Sequence, residues 1–339
     1  MKKTKKRAVP VSLVILEVFL IILFAFLSVW WFGFTYPAFD AVTTKVARIP
    51  GLDSGISPQG LCILPSSDGT RFDFAMSGYI PGEPSRVYVV RTEPVTEDKV
   101  TSIETYVTFQ KDGKPVQTHF GGIACTDDFL YIASGKEIIR AKLSDVTSVS
   151  GGVVEIVDSF DVGMNAAFCY IYGGQLYVGE FYRPGKYETD PSHYVETASG
   201  TNHALVYVYD LNEESEGGIA DTVPSKVLSV CDQVQGIALS DEHIFLSTSY
   251  GLPDSKLYIY SNVLDAQTAE TFRFGDKDIP MYILAPKAKA DFKMPCMSEE
   301  IYVKEGRLYI LFESMSKQYR YVVHTRITHI LSVKIEDIL

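Results

Sequence analysis

Gln59, Gln235 and Glu299 hold the same place in three copies of a repeated strand–turn–strand pattern. Gly121 and Ala167 hold it in two further copies. Two positions earlier, on the same strand face by period-2 alternation, stand Ser57, His119, Asn165, Gln233 and Met297. Amides, an imidazole and a carboxylate gathered in a ring would grip a polar ligand by hydrogen bonds. They would also serve a metal ion, with Glu299 as its one anionic ligand. Calcium takes about six to eight oxygens, usually with more than one carboxylate, so Glu300 or backbone carbonyls would have to assist. The same groups also satisfy one another and ordered water in a narrow channel.

A second polar set falls at the ends of the second strands: Ser77, Ser134, Glu180, Thr248, Ser249 and Glu313. Glu180 and Glu313 match a general acid/base pair in composition, and equally two independent hydrogen-bond anchors. Among the histidines, His119, His193 and His203 are placed to meet a ligand. None stands at zinc-ligand spacing to another His or Cys, and neither G-x-S-x-G nor a P-loop occurs. Lys317–Tyr321, KQYRY, puts Arg320 between two tyrosines. That arrangement suits an anion clamp or a sugar-stacking surface, or an outer strand with a solvated Arg. The insertion Tyr182–His203, with Tyr182, Arg183 and His193, is long enough to be a lid.

What positions these residues is the repeat itself. VQGIALSDEHIFLSTSYG from Val234 reads as a buried strand, a tight acidic turn and a second strand, and four echoes start at Pro58, Phe120, Ala166 and Ser298. Gly60, Gly122, Phe168, Gly236 and Glu300 align, roughly 45–70 residues apart, a period suited to four-stranded propeller blades. Third strands follow at Arg86–Arg91, Glu137–Lys142, Ala204–Tyr209, Lys256–Tyr260 and Ile330–Ile335. Fourth strands follow in four units, at Ser102–Phe109, Val153–Phe160, Lys226–Val230 and Ala288–Lys293. The fifth unit ends without one, and Thr43–Ile49 is the strand left to supply it and to close the ring. The expected fold is all-β, a five-bladed β-propeller over residues 43–339, with six blades as the alternative.

The N-terminus has a different character. MKKTKKR carries five positive charges, and the apolar run Val11–Phe34 carries one negative, Glu17. At about 1.5 Å per residue that run is long enough to cross a ~30 Å hydrocarbon core, and Trp30 and Trp31 suit its interfacial end. The positive-inside rule makes residues 1–10 a cytoplasmic tail, 11–34 a transmembrane signal anchor and 35–42 a spacer. The remainder lies outside, as in a single-pass type II protein of the cell membrane. A cleaved signal peptide is the competing interpretation, and the apolar core exceeds the usual length for one.

The formal net charge is −11, so the portion beyond the anchor carries −15. An acidic surface repels nucleic-acid phosphate. Five cysteines cannot all pair within the chain. Cys62, Cys125 and Cys169 fall inside first strands as small hydrophobes, whereas Cys231 and Cys296 occupy similar places in successive repeats.

PQG, HFGGIA, DSFDVG, VGEFY…DPSH, QGIALS…LSTSYG and MSEEIY…LYILFES resemble motifs of uncharacterised, secreted or membrane-anchored bacterial β-propeller proteins. More distantly, the QGIA-type strands are similar to the gluconolactonase/arylesterase-like propeller superfamily. That resemblance implies a six-bladed relative with calcium in its channel on acidic and Asn ligands. Here only Glu299 is acidic and only Asn165 is Asn among the pore positions, so the resemblance carries architecture further than a reaction. The first expectation is a membrane-tethered binding or interaction module. Its ligand, a small molecule, glycan or protein, would sit at Gln59, His119, Asn165, Gln235 and Glu299. The alternative is a calcium-dependent hydrolase with Glu299 on the metal and His119 or Glu180 as base. The third is a structural propeller that serves a membrane complex through its rim.

Overall fold

The computed structural model describes residues 10–32, 35–67, 71–96, 99–148, 151–264, 269–285, 288 and 290–339. It divides into two compact units, Met1–Pro37 and Ala38–Leu339. The basic segment MKKTKKR lies outside the described residues. In the first unit Val11–Phe32 forms one helix of 22 residues, apolar on every face apart from Glu17. Its side chains are described as far as Leu27, and all of these are exposed. Among the described residues no helix is long and apolar enough to cross a membrane. The expected transmembrane span over 11–34 is thus without support from the described residues, and residues 33–34 and the side chains of Trp30 and Trp31 lie outside them.

The second unit is all-β, with many strands in several sheets and few helices. Inner strands such as Val234–Leu239 and His243–Thr248 are buried on both faces, which is why they read as near-continuous apolar runs. One sheet runs Ser57–Ile63, Phe74–Tyr79, Arg86–Thr96 and Lys99–Lys111 in chain order. Another runs Val234–Leu239, His243–Thr248, Ser255–Ser261 and Ala290–Met294. Between them in sequence, Ile123–Cys125, Phe129–Lys142, Asp158–Tyr172, Gln175–Glu180, Ala204–Asp210 and Lys226–Val230 form a continuous sheet. Two of these strands each do the work of two. Phe129–Lys142 pairs with Ile123–Cys125 through its first half and with Asp158–Asp161 through its second. Left-handed glycines, Gly135 at φ 62° and Gly163 at φ 73°, allow the bends.

The last sheet runs Ser298–Lys304, Arg307–Phe312 and His329–Lys334, and its outer strand is Thr43–Arg48 from the other end of the chain. Thr43 pairs with Val333 and Arg48 with His329, antiparallel. The stretch expected as a spacer contains a short helix, Pro37–Val42. Its Phe39 is buried and meets the rings of Phe292 and Phe312 at about 6 Å.

Alternation along each strand gives neighbouring sheets a shared core. Leu61, Ile63 and Met76 pack toward Tyr309, Leu311 and Ile330, while Cys62, Ala75 and Val87 pack toward Ile123, Ile132 and Ile139. The five first strands lie side by side in a cycle. Ser57–Ile63 neighbours Ile123–Cys125, then come Asp158–Tyr172, Val234–Leu239 and Ser298–Lys304, which returns to Ser57–Ile63.

The outer edges depart from expectation. Val153–Phe160 is not one strand: Gly152–Glu155 adds in parallel to the edge strand Lys99–Lys111, and Asp158–Asp161 pairs with Glu137–Arg140. An unexpected hairpin, Glu270–Phe274 with Lys277–Ile283, adds in parallel to Lys226–Val230. Each addition covers an edge that would otherwise present unpaired backbone groups.

Candidate functional site

Four of the five inner hairpins break register at the same place. The shifts fall between Pro58 and Leu61, Ala166 and Phe168, Val234 and Gly236, and Ser298 and Ile301. Gln59, Ala167, Gln235 and Glu299 are the residues at these bulges. A bulge inserts an unpaired residue and re-aims its side chain. Two bulges are preceded by residues in the left-handed region, Gln233 at φ 63° and Met297 at φ 66°. Such backbone costs roughly 1–3 kcal/mol in a non-glycine residue. The added residue also ends the strict alternation. Gln233 and Met297 do not line the cavity that Gln235 and Glu299 line, contrary to the sequence expectation, and Ser57 is fully buried.

At the bulges a cavity of about 730 Å³ opens, lined by Gln59, His119, Asn165, Gln235 and Glu299 together. The second and third units offer only Gly121 and Ala167 at the bulge position, which leaves room for His119 and Asn165. The cavity also takes in Glu313, which the sequence grouped elsewhere. The Glu313 N–H donates to the Met297 carbonyl at 3.0 Å, so the hairpin holds Glu313 beside Glu299. Gln59 Nε2 donates to the Pro58 carbonyl at 2.7 Å and to Glu313 Oε2 at 3.4 Å. His119 meets the Tyr79 ring edge-on, centroids 4.1 Å apart.

The two carboxyl groups line the same cavity and each perturbs the other's titration. Burial, then the charge of Glu313, pushes Glu299 well above the usual carboxylate range. Burial raises Glu313 to about 7, partly offset by hydrogen bonds from Glu299 and Gln59. Both shifts favour the protonated carboxyls. Although His119 is open to the cavity, the walls around it desolvate the ring and lower its pKa, favouring neutral imidazole.

One position further along, the centre of the cycle is closed. Glu300 is fully buried and its Oε2 accepts from the Ile123 N–H at 3.1 Å. A side chain at Gly122 would collide with that carboxyl, and one at Gly236 would come within 2.8 Å of the Glu300 Cα. These glycines are close-approach positions. Burial holds the Glu300 carboxyl toward its neutral form.

The rim is cationic and aromatic. A turn at Arg183–Tyr187, closed by hydrogen bonds between the two residues, brings Lys186 and Tyr187 to the cavity. Arg183 lies over the Tyr250 ring at 3.7 Å, and Lys186 Nζ donates to the Tyr250 hydroxyl at 3.1 Å. That hydrogen bond raises the Lys186 pKa and lowers that of Tyr250.

The remaining candidates lie elsewhere. Glu180 is buried away from the cavity, its Oε1 bonded to His193 Nδ1 at 2.8 Å and to the Leu205 N–H at 3.0 Å. His193 Nε2 lies 3.3 Å from the Tyr207 hydroxyl. Glu180 and Glu313 thus share no cavity and make no acid/base pair. Tyr182 stacks on His203 at 4.4 Å, and His203 Nδ1 bonds to Asp232 at 2.8 Å. Only the beginning of the expected lid reaches the cavity. Arg320 sits in a turn rather than a strand, 5.0 Å from the exposed Tyr321 ring, while Tyr319 of the same turn lines the cavity. All five cysteines are free thiols, so Cys231 and Cys296 are not bridged.

For a metal, the cavity offers Glu299, Glu313 and side-chain amides. Among the described residues no group of three or more His, Cys, Asp or Glu could hold an ion. The donor set falls short of a dedicated calcium cage.

No protein-family model and no curated protein matches the chain, so no family match stands behind the gluconolactonase-like resemblance. Among solved structures, the chain is similar to the crystal structure of Myxococcus xanthus glutaminyl cyclase. The identity is 8%, the match covers 80% of this chain and 91% of that chain, and the TM-score is 0.41. No activity is carried over from it.

Proposed function

We propose that residues 43–339 form a five-bladed β-propeller, held at the outer face of the membrane by the apolar segment 11–34, that binds a small polar ligand in its central cavity. One observation carries the binding reading: five successive repeat units each send a polar side chain to one cavity, namely Gln59, His119, Asn165, Gln235 and Glu299. A scaffold gains nothing from bulged, partly strained backbone that aims amides at open space. A cavity of this size is typical of small-molecule sites, which span about 300–1,000 Å³. The cycle of first strands supports the propeller, and the pairing of Thr43–Arg48 with His329–Lys334 supports its closure. A helix apolar all round and exposed along its described length needs apolar surroundings, which supports the tether. The test is equilibrium dialysis of the full chain against a polar metabolite extract, read by mass spectrometry. A compound retained by the wild type should be lost on Asn165→Trp, which fills the mouth from an exposed position, and weakened about fivefold by Gln235→Ala. Retention unchanged by Asn165→Trp would end the cavity reading.

A second reading, calcium-dependent hydrolysis of a lactone or ester, has one observation in its favour: Glu313 supplies the second carboxyl that Glu299 alone lacked. Glu180 is off the cavity, which leaves His119 as the base. No group of three or more His, Cys, Asp or Glu that could hold an ion forms around them among the described residues, so binding ranks first. Metal analysis, with melting curves in calcium and in chelator, separates the two. Under the binding reading the melting temperature ignores both. A calcium-dependent rise that Glu299→Gln removes would instead establish the second.

A further inference from the structure

The cavity has two poles of opposite charge, and this deepens the binding reading on which it rests. At one pole Glu299, 2% exposed, and Glu313 face each other beside the Gln59 amide. At the other, Lys186 lines the cavity and donates to Tyr250, with the Arg183 guanidinium stacked on the same ring. Phe181, Tyr187 and Tyr250 form a wall on the cationic side, and Tyr79 and Tyr319 line the cavity as well.

From this we infer that the ligand is a small zwitterion, carrying a protonated amine at one end and a carboxylate at the other. The amine meets Glu299 and Glu313, which line the cavity together beside Gln59. An ammonium group offers three donors to these two carboxyls. The carboxylate meets Lys186 and, across Tyr250, Arg183. The aromatic wall covers the stem, and Tyr79 and Tyr319, near the two carboxyls, favour the ligand's cationic end. A ligand with only one charge would leave one pole without its counterpart, and an anion would be repelled at the acid pole. Because amine binding favours the ionised carboxyls, it expels a proton. Affinity therefore strengthens as pH rises through about 7, where Glu313 titrates.

The test uses the full chain and three matched series: ω-amino acids from glycine to 6-aminohexanoate, the alkylamines of the same lengths, and the alkanoates of the same lengths. Binding is followed by calorimetry. At the best length the zwitterion should bind at least tenfold more tightly than either one-charge analogue, with proton release that depends on pH. Glu299→Gln combined with Glu313→Gln should erase the advantage over the alkanoate. Lys186→Met, at an exposed position, should erase the advantage over the alkylamine. Retained melting temperatures in both variants show that folding is not the cause. Equal binding of zwitterion and either analogue, or no binding at any length, overturns the inference. The broader cavity reading is judged separately, by the metabolite dialysis and Asn165→Trp.

Discussion

Glu180 and Glu299 are equally hidden, each 2% exposed, yet their carboxylates meet opposite surroundings. Glu180 accepts from a backbone N–H and from His193, whose other nitrogen reaches Tyr207. Every neighbour is protein and the network is complete. Glu299 faces a second carboxyl and an open cavity, and its pKa is driven up. Burial alone thus does not mark a site. What distinguishes Glu299 is that its hydrogen-bonding capacity is left to a like group and to whatever enters the cavity.

The largest effect should come from breaking the satisfied network. Glu180→Ala strands the Leu205 N–H and His193 in a buried place, and should lower stability by about 3 kcal/mol in urea unfolding, with cavity affinity within twofold of wild type. A loss below about 1 kcal/mol would erase the distinction between the two glutamates.

Next comes pH. Glu299 and Glu313 have folded pKa values above those of the unfolded chain. Their contribution is fully present below the ordinary carboxyl value of about 4.3 and fades as pH rises through the folded values, about 7 for Glu313. The melting temperature should fall between pH 5 and pH 8, and Glu299→Gln should flatten that fall. Identical slopes in the two proteins would place the titrating groups elsewhere. The smallest effect belongs to Asn165→Ala, at an exposed position. Stability should stay within about 0.5 kcal/mol of wild type while affinity for a retained ligand drops about threefold or more, as thermal melts and dialysis would show.

Much of this was legible in the sequence, because the repeat is local. A hairpin's two strands and turn sit within one window, and the alignment of five such windows put Gln59, Gln235 and Glu299 at one level. The strand Thr43–Arg48 was found by elimination, since only the last unit lacked a fourth strand. The misses have physical causes. Gly152–Glu155 and the Glu270–Ile283 hairpin join a neighbouring unit's edge in parallel, and no local pattern encodes that partner. Gln233 and Met297 were placed on the cavity face by an alternation that the bulges interrupt. The Glu299–Glu313 partnership was not legible, because the antiparallel register that pairs Ser298 with Phe312 sets Glu313 opposite Met297, and only the bulge after Ser298 turns Glu299 to the same cavity.

The last sheet has a consequence for how the protein is made. Thr44 and its partner Ser332 lie 288 residues apart, so the strand that begins the β-unit leaves the ribosome long before its neighbour exists. Until synthesis is nearly finished, Thr43–Arg48 has no sheet to join, and four units stand with their hydrophobic flanks incomplete. The pairing of Thr43–Arg48 with His329–Lys334 must then be a late step that spans almost the whole chain, the kind of contact that slows folding most. A ribosome stalled before His329 would leave a product with an open edge at the gap, available to another chain in the same state.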